Sequence, residues 1–157
     1  MTKEILLNDG SVVFVDAADY EWLNRWKWQR HARGYAIRTS WDALNKKFFG
    51  ILMHRLILDV PKNMDTDHIN GNKLDNRRCN LRICTTAQNI RNQRKTRGTS
   101  KYKGVSWSKQ RKKWVAFITI NHKRKNLGGF NDEAKAALTY NKEAKKHFGE
   151  FARLNSI

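Results

Sequence analysis

The sequence predicts an α+β fold in which a β-rich first part is followed by a three-stranded antiparallel sheet packed on one helix. Three observations support this class. The chain has 157 residues, which suits one full-sized domain or two small ones. Apolar residues alternate at strand spacing near both ends, and a helical apolar stripe follows the last strand. Between them lies a segment dense in His, Asp and Asn.

The composition indicates a protein that binds nucleic acid. Lys and Arg number 32 against 14 Asp and Glu, a formal net charge of +18, so a polyanion is the expected partner. No apolar run approaches the ~18 residues of a membrane span, and no signal-peptide pattern opens the chain. Cys79 and Cys84 make no disulfide framework and no CxxC pair, which favours ordinary packing in a reducing compartment over a zinc site.

The first fifty residues predict a small β module. Asp9-Gly10 between two apolar runs is a hairpin signal. Asp19 is a candidate N-cap for a helix that carries Tyr20, Leu23 and Trp26 at helical spacing. The aromatic and apolar side chains of this module favour core packing over nucleotide stacking, and we expect the core to contain Trp26, Trp28, Tyr35, Ile37, Phe48 and Phe49.

The C-terminal segment alternates strongly. One strand face carries Val105, Trp107, Trp114, Ala116, Ile118 and Ile120, and Leu127 continues it on a third strand. Gly128-Gly129 is expected to end the sheet, and Asn131-Asp132-Glu133 to start a helix. Gly149 closes that helix, whose apolar stripe is Ala137, Tyr140, Ala144 and Phe148.

Positive charge is concentrated between the two parts. Residues 91–125 contain no acidic residue and thirteen basic ones, at positions 91, 94, 95, 97, 101, 103, 109, 111, 112, 113, 123, 124 and 125. Self-repulsion disfavours such a run unless a polyanion is near, so DNA contact is favoured over a merely solvated face. Residues 94–101 predict a basic linker that could follow the DNA groove with Arg91, Arg94 and Arg97.

Asp67-His68 is the candidate catalytic pair. Phosphodiester cleavage needs a group that activates water, which suits histidine, and a hard cation held by oxygen ligands. Strand alternation would separate the two side chains, so the pair must lie at a strand end or bend, and Asn70-Gly71-Asn72 supplies that turn. Taken singly, a surface Asp-His pair and an Asn-Gly turn also have purely structural interpretations.

Two later asparagines complete the constellation. Thr85-x-x-Gln88 is a capping-box pattern that places Asn89 in the first turn of a helix, where its amide oxygen can share a cation with Asp67. Asn80 can accept a hydrogen bond from the protonated ring nitrogen of His68 and so fix the tautomer. Alternatively, Asn80 is a buried amide that ties down the long loop.

The ordered motif MHRLI…DHINGN…DNR…NLR…N in residues 53–92 resembles the HNH endonucleases, in the homing-type variant whose last histidine is asparagine. The resemblance implies a ββα-metal fold, one divalent Mg (or Mn) ion and hydrolysis that leaves a 5′-phosphate. It implies that His68 is the general base, Asn80 its orienting residue, and Asp67 and Asn89 the metal ligands. Candidate phosphate contacts are His54, Arg55, Arg77 and Arg82.

Residues 101–155 resemble the Apetala-type, ethylene-response-factor DNA-binding domain through YKGVSW, KWVAFI, LGGF, AKAALTYNKEA and ARLN. That domain lays its sheet into the major groove. The expected DNA contacts of the sheet and its turns are Lys103, Ser106, Ser108, Lys109, Arg111, Lys113, Phe117, Thr119, Arg124 and Asn126. Ser106, Ser108 and Thr119 stand where that family places arginine, so a guanine-rich target is not implied. The alternative use of this sheet is a dimer interface.

The sequence therefore predicts a sequence-guided nicking endonuclease on double-stranded DNA, without a membrane partner or an evident obligate protein partner. Its expected domains are residues 1–93, a linker over 94–101 and residues 102–157. The expected setting is the cytoplasm of a bacterial host, in a phage or mobile element. A DNA-binding regulator with an inactive nuclease fold and an RNA-binding basic protein are the alternatives.

Overall fold

The computed structural model describes residues 1–93 and 98–157. These residues form a mixed α+β fold with four α-helices and several small antiparallel sheets, which confirms the predicted class. The chain divides into two compact units, Met1–Asn89 and Ile90–Ile157. The predicted domain limits, including the linker over 94–101, stay predictions, and most of that linker lies outside the described residues.

The first unit opens with the hairpin expected from Asp9-Gly10. Strands β1 (Thr2–Leu6) and β2 (Val12–Asp16) pair antiparallel, with Ile5 opposite Val13. Gly10 has φ +80°, a left-handed conformation that glycine adopts without steric cost. Ile5, Val13 and Val15 point into the core of the unit, which they share with Leu7, Leu23, Trp28, Ala36, Met53, Ile57 and Leu81.

Helix α1 (Ala17–Leu23) follows β2 directly, and the expected N-cap is wrong. The expected place of Trp26 on this helix is wrong as well, because the helix ends at Leu23. Asp16 occupies the cap position, while Asp19 lies inside the first turn and is 3% exposed. Its carboxylate accepts hydrogen bonds from Arg78 Nε at 2.7 Å and Nη2 at 2.8 Å. The Asp19 carboxylate, which the sequence pattern assigned to capping, thus pairs with Arg78, 59 residues further along the chain.

A second antiparallel sheet contains β3 (Gln29–Arg30), β4 (Ala36–Asp42) and β5 (Lys47–Leu52), in that spatial order. The expected aromatic core is only partly correct. Trp28 is 2% exposed, but Trp26, Phe48 and Phe49 are 48%, 71% and 43% exposed. Strand β5 is exposed over its first four residues, so its aromatic rings have no core to join.

Helix α2 (Met53–Leu58) leads into the segment with the candidate catalytic residues. Strands β6 (Asp65–His68) and β7 (Leu81–Cys84) form a two-stranded antiparallel sheet, and a 3-10 turn (Arg78–Asn80) precedes β7. Helix α3 (Thr86–Asn92) follows. Cys84 is 1% exposed, and burial raises the pKa of its thiol to about 11, as expected for a packing residue.

The second unit contains β8 (Val105–Ser108), β9 (Lys113–Ile120) and β10 (Lys123–Phe130), ordered β10-β9-β8 with both pairs antiparallel. The expectation that Gly128-Gly129 ends the sheet is wrong, because both glycines lie within β10. A bulge between Asn126 and Gly128 absorbs the irregularity, and Asn126 Oδ1 accepts the Gly128 N–H at 2.9 Å.

Helix α4 (Glu133–Phe148) covers one face of this sheet, and both of its predicted ends are confirmed. Asp132 caps it by accepting the Ala134 N–H at 2.7 Å, and Gly149 closes it with φ +54°. Ala137, Tyr140, Ala144 and Phe148 are buried against Val105, Ala116 and Ile118.

No helix in the described part of the chain combines the length and the apolar character that crossing a bilayer requires.

Candidate active site

The candidate catalytic pair lies where β6 ends. His68 is the last residue of the strand, opposite Leu81, and Asp67 is opposite Arg82. The chain then bends, because Gly71 N donates to His68 O at 2.8 Å and Asn70 Oδ1 accepts the Asn72 N–H at 2.7 Å. The expectation that this pair lies at a strand end is confirmed.

Asn80 ties the loop together instead of contacting His68. Its Nδ2 donates to Asp75 O at 2.8 Å, and its Oδ1 accepts the Asn70 N–H at 3.0 Å. Both ends of the amide are thus used by the loop backbone, and the side chain is 6% exposed. The direct hydrogen bond to His68 that we expected is replaced by the loop-tying interpretation that the sequence left open.

Asn76 is the residue that contacts the imidazole. Its Oδ1 lies 2.9 Å from His68 Nε2, its Nδ2 donates to Met53 Sδ at 3.5 Å, and its backbone N donates to Phe14 O at 2.8 Å. The residue is completely buried. Because an amide oxygen only accepts, Nε2 carries the proton and the lone pair of the neutral ring is on Nδ1.

The surroundings of His68 keep it neutral. The side chain is 5% exposed, with the ring of His54 at 5.1 Å and that of Tyr35 at 5.9 Å between centroids. Burial lowers the pKa of His68, while the hydrogen bond to Asn76 and the nearby charges of Asp67 and Asp75 partly oppose this shift. The net effect is a lowered pKa, so the ring is neutral at neutral pH and can act as a proton acceptor.

His54 has the same environment in a stronger form. It is 4% exposed, its Nδ1 is buried without a hydrogen-bond partner among the described residues, and burial lowers its pKa to about 3. A neutral, buried ring cannot supply positive charge to a phosphate on the surface, so the structure does not support the phosphate contact expected for His54. The residue packs against Tyr35 and His68 instead.

Asp67 is 4% exposed and pairs with Arg82, whose Nη2 and Nε donate to its Oδ2 at 2.6 and 2.9 Å. Arg82 is largely buried as well, with 12% of its side chain exposed. Its guanidinium therefore neutralises a buried carboxylate. This contact gives Arg82 a different role from the phosphate contact that the sequence suggested.

Two other candidate phosphate contacts are also engaged inside the protein. Arg55 donates to the backbone oxygens of Met64 at 2.7 Å, Pro61 at 2.9 Å and Val60 at 3.3 Å, and so ties the loop after α2. Arg77 forms two hydrogen bonds with Asp75, both at 2.7 Å. Neither contact supports the expected role in binding phosphate.

The helix that carries Asn89 begins with the capping box predicted by the sequence. Thr85 N donates to Gln88 Oε1 at 2.8 Å, and Gln88 N donates to Thr85 Oγ1 at 3.3 Å. Asn89 N then donates to Thr85 O at 3.0 Å, which confirms the position of Asn89 in the first helical turn. Its side chain is half-buried.

The donor set fits only a cation that keeps most of its water. The described residues contain no cluster of three or more His, Cys, Asp or Glu side chains that could hold a metal ion. The oxygen donors that the sequence predicts are the Asp67 carboxylate, which already accepts two hydrogen bonds from Arg82, and the Asn89 amide. Mg²⁺ commonly binds through one or two protein oxygens and completes its shell with water and substrate phosphate, so these donors are chemically suited to it.

The sheet of the second unit has the two faces that alternation predicted. The face away from α4 carries Ser106 opposite Val115, Phe117 opposite Asn126 and Thr119 opposite Arg124. The Arg124 guanidinium lies over the Phe117 ring, 3.6 Å from its centroid. Basic side chains at the strand ends and turns are exposed: Lys109, Arg111, Lys112, Lys113 and Lys123.

Two of the expected DNA contacts are instead packed within the second unit. Lys103 Nζ donates to Gln93 O at 2.7 Å and also to Arg91 O, and burial lowers the pKa of this amine to about 8. The Arg91 guanidinium lies 4.8 Å from the centroid of the Phe148 ring. Arg94 and Arg97 lie outside the described residues.

Comparison with known proteins yields one family and two curated relatives. The HNH endonuclease family matches residues 59–91, which contain Asp67, His68, Asn80 and Asn89. An uncharacterised HNH endonuclease of Acanthamoeba polyphaga mimivirus is 32% identical over 150 residues, which is 94% of this chain and 76% of the relative. Protein 3.8 of Escherichia phage T7 is 35% identical over 95 residues, 60% of this chain and 78% of the relative.

Proposed function

Because the chain belongs to the HNH endonuclease family, we propose that it is a metal-dependent DNA endonuclease with His68 as its general base. The observation that carries this proposal is the hydrogen bond between His68 Nε2 and Asn76 Oδ1 at 2.9 Å. It assigns the proton to Nε2 and leaves Nδ1 as the basic nitrogen that can deprotonate a water molecule.

The proton taken by His68 must be held until the reaction is complete. Asp67 and Asp75 favour the protonated imidazole electrostatically, while burial opposes it. Asn76 keeps the ring in one orientation in both protonation states, because Nε2 carries a hydrogen in each. His68 is therefore built to accept a proton at Nδ1 without rotating.

Asp67 and Asn89 would hold a divalent cation, Mg²⁺ or Mn²⁺, in this scheme. When bound, such a cation neutralises charge that develops on the cleaved phosphate. Along the chain, β6, β7 and α3 occur in the order strand, strand, helix, which supports a ββα-metal arrangement. The hydrolysis would leave a 5′-phosphate, and one site of this kind acts on one strand, so a single copy would nick the duplex.

We propose that the second unit is an Apetala-type DNA-binding domain that positions the substrate. Three antiparallel strands with one helix behind them, an outer face of small polar and basic residues, and exposed lysines at the turns support this role. The side chains that could reach base edges are Ser106, Ser108, Phe117, Thr119, Arg124 and Asn126. Those suited to phosphate are Lys109, Arg111 and Lys113.

A role in a phage or mobile element fits the viral origin of both relatives. The viral origin of the relatives and the homing-type variant of the motif together support a sequence-guided nickase that acts on double-stranded DNA in the host cell. The alternative is a DNA-binding regulator that does not cleave.

Plasmid nicking tests the proposal. With Mg²⁺, the wild-type protein should convert supercoiled DNA to open circles, and EDTA should stop the conversion. His68→Ala should lose at least about a hundredfold in rate while its affinity for DNA, measured by gel shift, stays within about twofold. Wild-type protein that binds but leaves plasmid intact would favour the regulator. His68→Ala protein that nicks at the wild-type rate would remove His68 as the base.

A further inference from the structure

The β4–β5 hairpin of the first unit presents large aromatic side chains to solvent. Trp41 and Phe48 face each other across the two strands, with ring centroids 4.8 Å apart, and they are 52% and 71% exposed. Leu44, in the turn, is 91% exposed. Neither ring belongs to the hydrophobic core of the unit.

The hairpin keeps this shape through its own backbone and turn. Asp42 Oδ1 accepts the N–H groups of Leu44 and Asn45, each at 3.1 Å, and its Oδ2 accepts Asn45 Nδ2 at 2.8 Å. Lys46 adopts φ +48° in the same turn. Exposed apolar side chains on a defined ribbon mark an interaction surface more often than an accident of folding.

Charge identifies the partner that this surface suits. Residues 25–52 contain seven basic residues, at positions 25, 27, 30, 33, 38, 46 and 47, and one acidic residue, Asp42. A second copy of the chain would bring the same excess of positive charge against it, which disfavours self-association. A polyanion that also exposes apolar groups, namely duplex DNA with its sugars and thymine methyl groups, satisfies both the charges and the rings.

We propose that the β4–β5 hairpin is a second DNA-contacting surface, distinct from the sheet of the second unit. A two-stranded ribbon fits the major groove, where Trp41 and Phe48 would pack against thymine methyl groups and sugars while the neighbouring Lys and Arg side chains bind phosphates. The inference rests on the proposed function only in taking DNA as the substrate. It requires no cleavage.

Binding without metal tests this surface directly. Trp41→Ser/Phe48→Ser and a matched control, Leu6→Ser, should be titrated in EDTA against a fluorescent DNA duplex of mixed sequence. Leu6 is also a large exposed apolar residue of the first unit, 71% exposed, but it lies on β1. We expect the double variant to lose about tenfold or more in affinity, from the apolar contacts with the groove that the two rings no longer make. The control should bind like wild type, and equal affinities of all three proteins would overturn the proposal.

A second variant separates the rings from the charges and guards against a misfolded hairpin. Lys46→Asn/Lys47→Ser keeps a residue that tolerates positive φ at position 46. It should weaken binding and reduce the slope of log K against log salt by about one to two, whereas the aromatic variant should leave this slope unchanged. Unchanged affinity and slope in this variant would count against the hairpin as a DNA contact.

Two further measurements separate a DNA contact from a dimer contact, and binding from cleavage. Sedimentation that shows wild-type dimers dissociated by Trp41→Ser/Phe48→Ser would assign the hairpin to a second copy and overturn the proposal. A plasmid that stays supercoiled, combined with weaker EDTA binding by both hairpin variants, would refute the proposed nuclease activity and still support this surface. If the wild-type protein nicks the plasmid but both hairpin variants bind DNA with wild-type affinity, the nuclease activity would be supported and the hairpin surface refuted.

Discussion

His68 Nε2 and Asn76 Oδ1 lie 2.9 Å apart in the first unit, where both residues are buried. The side-chain amide contacts Met53 and His68, and the backbone N–H of Asn76 donates to Phe14 O. The candidate base is therefore oriented by Asn76, in the loop between β6 and β7. Asn80 does not contact the imidazole but stabilises the same loop through its backbone.

Asn76→Ala should slow cleavage about 10- to 100-fold, because residues that orient a functional imidazole contribute on this scale. Single-turnover nicking measures the rate, and gel shift should show DNA binding within about twofold of wild type. Asn76→Asp, which keeps an acceptor oxygen, should retain more activity than Asn76→Ala if orientation is what matters. Equal rates for wild type and Asn76→Ala would remove Asn76 from the site.

His54 should make the first unit less stable in acid. Its pKa is about 3 in the folded protein and ordinarily 6.5, so the unfolded chain binds the extra proton between these values. Stability is full above pH 6.5 and falls as the pH drops toward 3, by about 2 kcal/mol at pH 5. Urea unfolding at several pH values measures this slope.

Two variants calibrate the acid effect. His54→Phe should flatten the dependence on pH, whatever it does to stability at neutral pH. His122→Gln, at an exposed histidine of the second unit, should leave the dependence as it is in wild type. A slope that persists unchanged in His54→Phe would assign the acid sensitivity to another group.

Gly104→Ala should destabilise the second unit by more than about 3 kcal/mol. A Cβ there would lie 2.0 Å from Tyr140 Cδ2, and the backbone has φ +74°. Gly149→Ala is the matched control, since it also has positive φ but no described atom within 4 Å of the added Cβ. That control should cost about 1 kcal/mol. Thermal unfolding in which both variants behave alike would mean that the Tyr140 ring moves aside.

Arg124 and Lys125 offer a test of which sheet face meets DNA. Arg124 lies on the outer face over Phe117, whereas Lys125 Nζ lies 3.3 Å from Glu143 on α4. Arg124→Ala should lower affinity and reduce the salt slope by about one, and Lys125→Ala should change both less. Equal losses in the two variants would indicate long-range charge rather than contact through the outer face.

Most signals that depend on a few consecutive residues predicted the structure correctly, although the Asp19 cap and the sheet end at Gly128-Gly129 were wrong. The Asp9-Gly10 hairpin, the Thr85-Gln88 capping box and the Asp132 cap each involve neighbours along the chain, and each is present. Alternation also assigned the two faces of the second sheet, because side-chain direction in a strand follows directly from position.

Contacts between distant residues could not be predicted in this way. Asn76 is one of several loop asparagines with equal turn propensity, and only the bend of the chain brings it, not Asn80, to His68. The Asp19–Arg78 pair spans 59 residues. Hydrophobicity alone assigns Phe48 and Phe49 to the core, because it does not reveal whether a strand has a second layer to cover it.

The strand β2 has a consequence for how this enzyme could be dissected or engineered. Phe14 N donates to Leu74 O at 2.9 Å, and Phe14 O accepts from Asn76 N at 2.8 Å. The β1–β2 hairpin therefore holds the backbone of the residue that orients the His68 ring. The segment that matches the HNH family, residues 59–91, is therefore not expected to keep its structure when it is separated from the rest of the unit. Transferred to another protein without the β1–β2 hairpin, it would keep all the motif residues but lose the backbone hydrogen bonds that hold the loop around Asn76 in place.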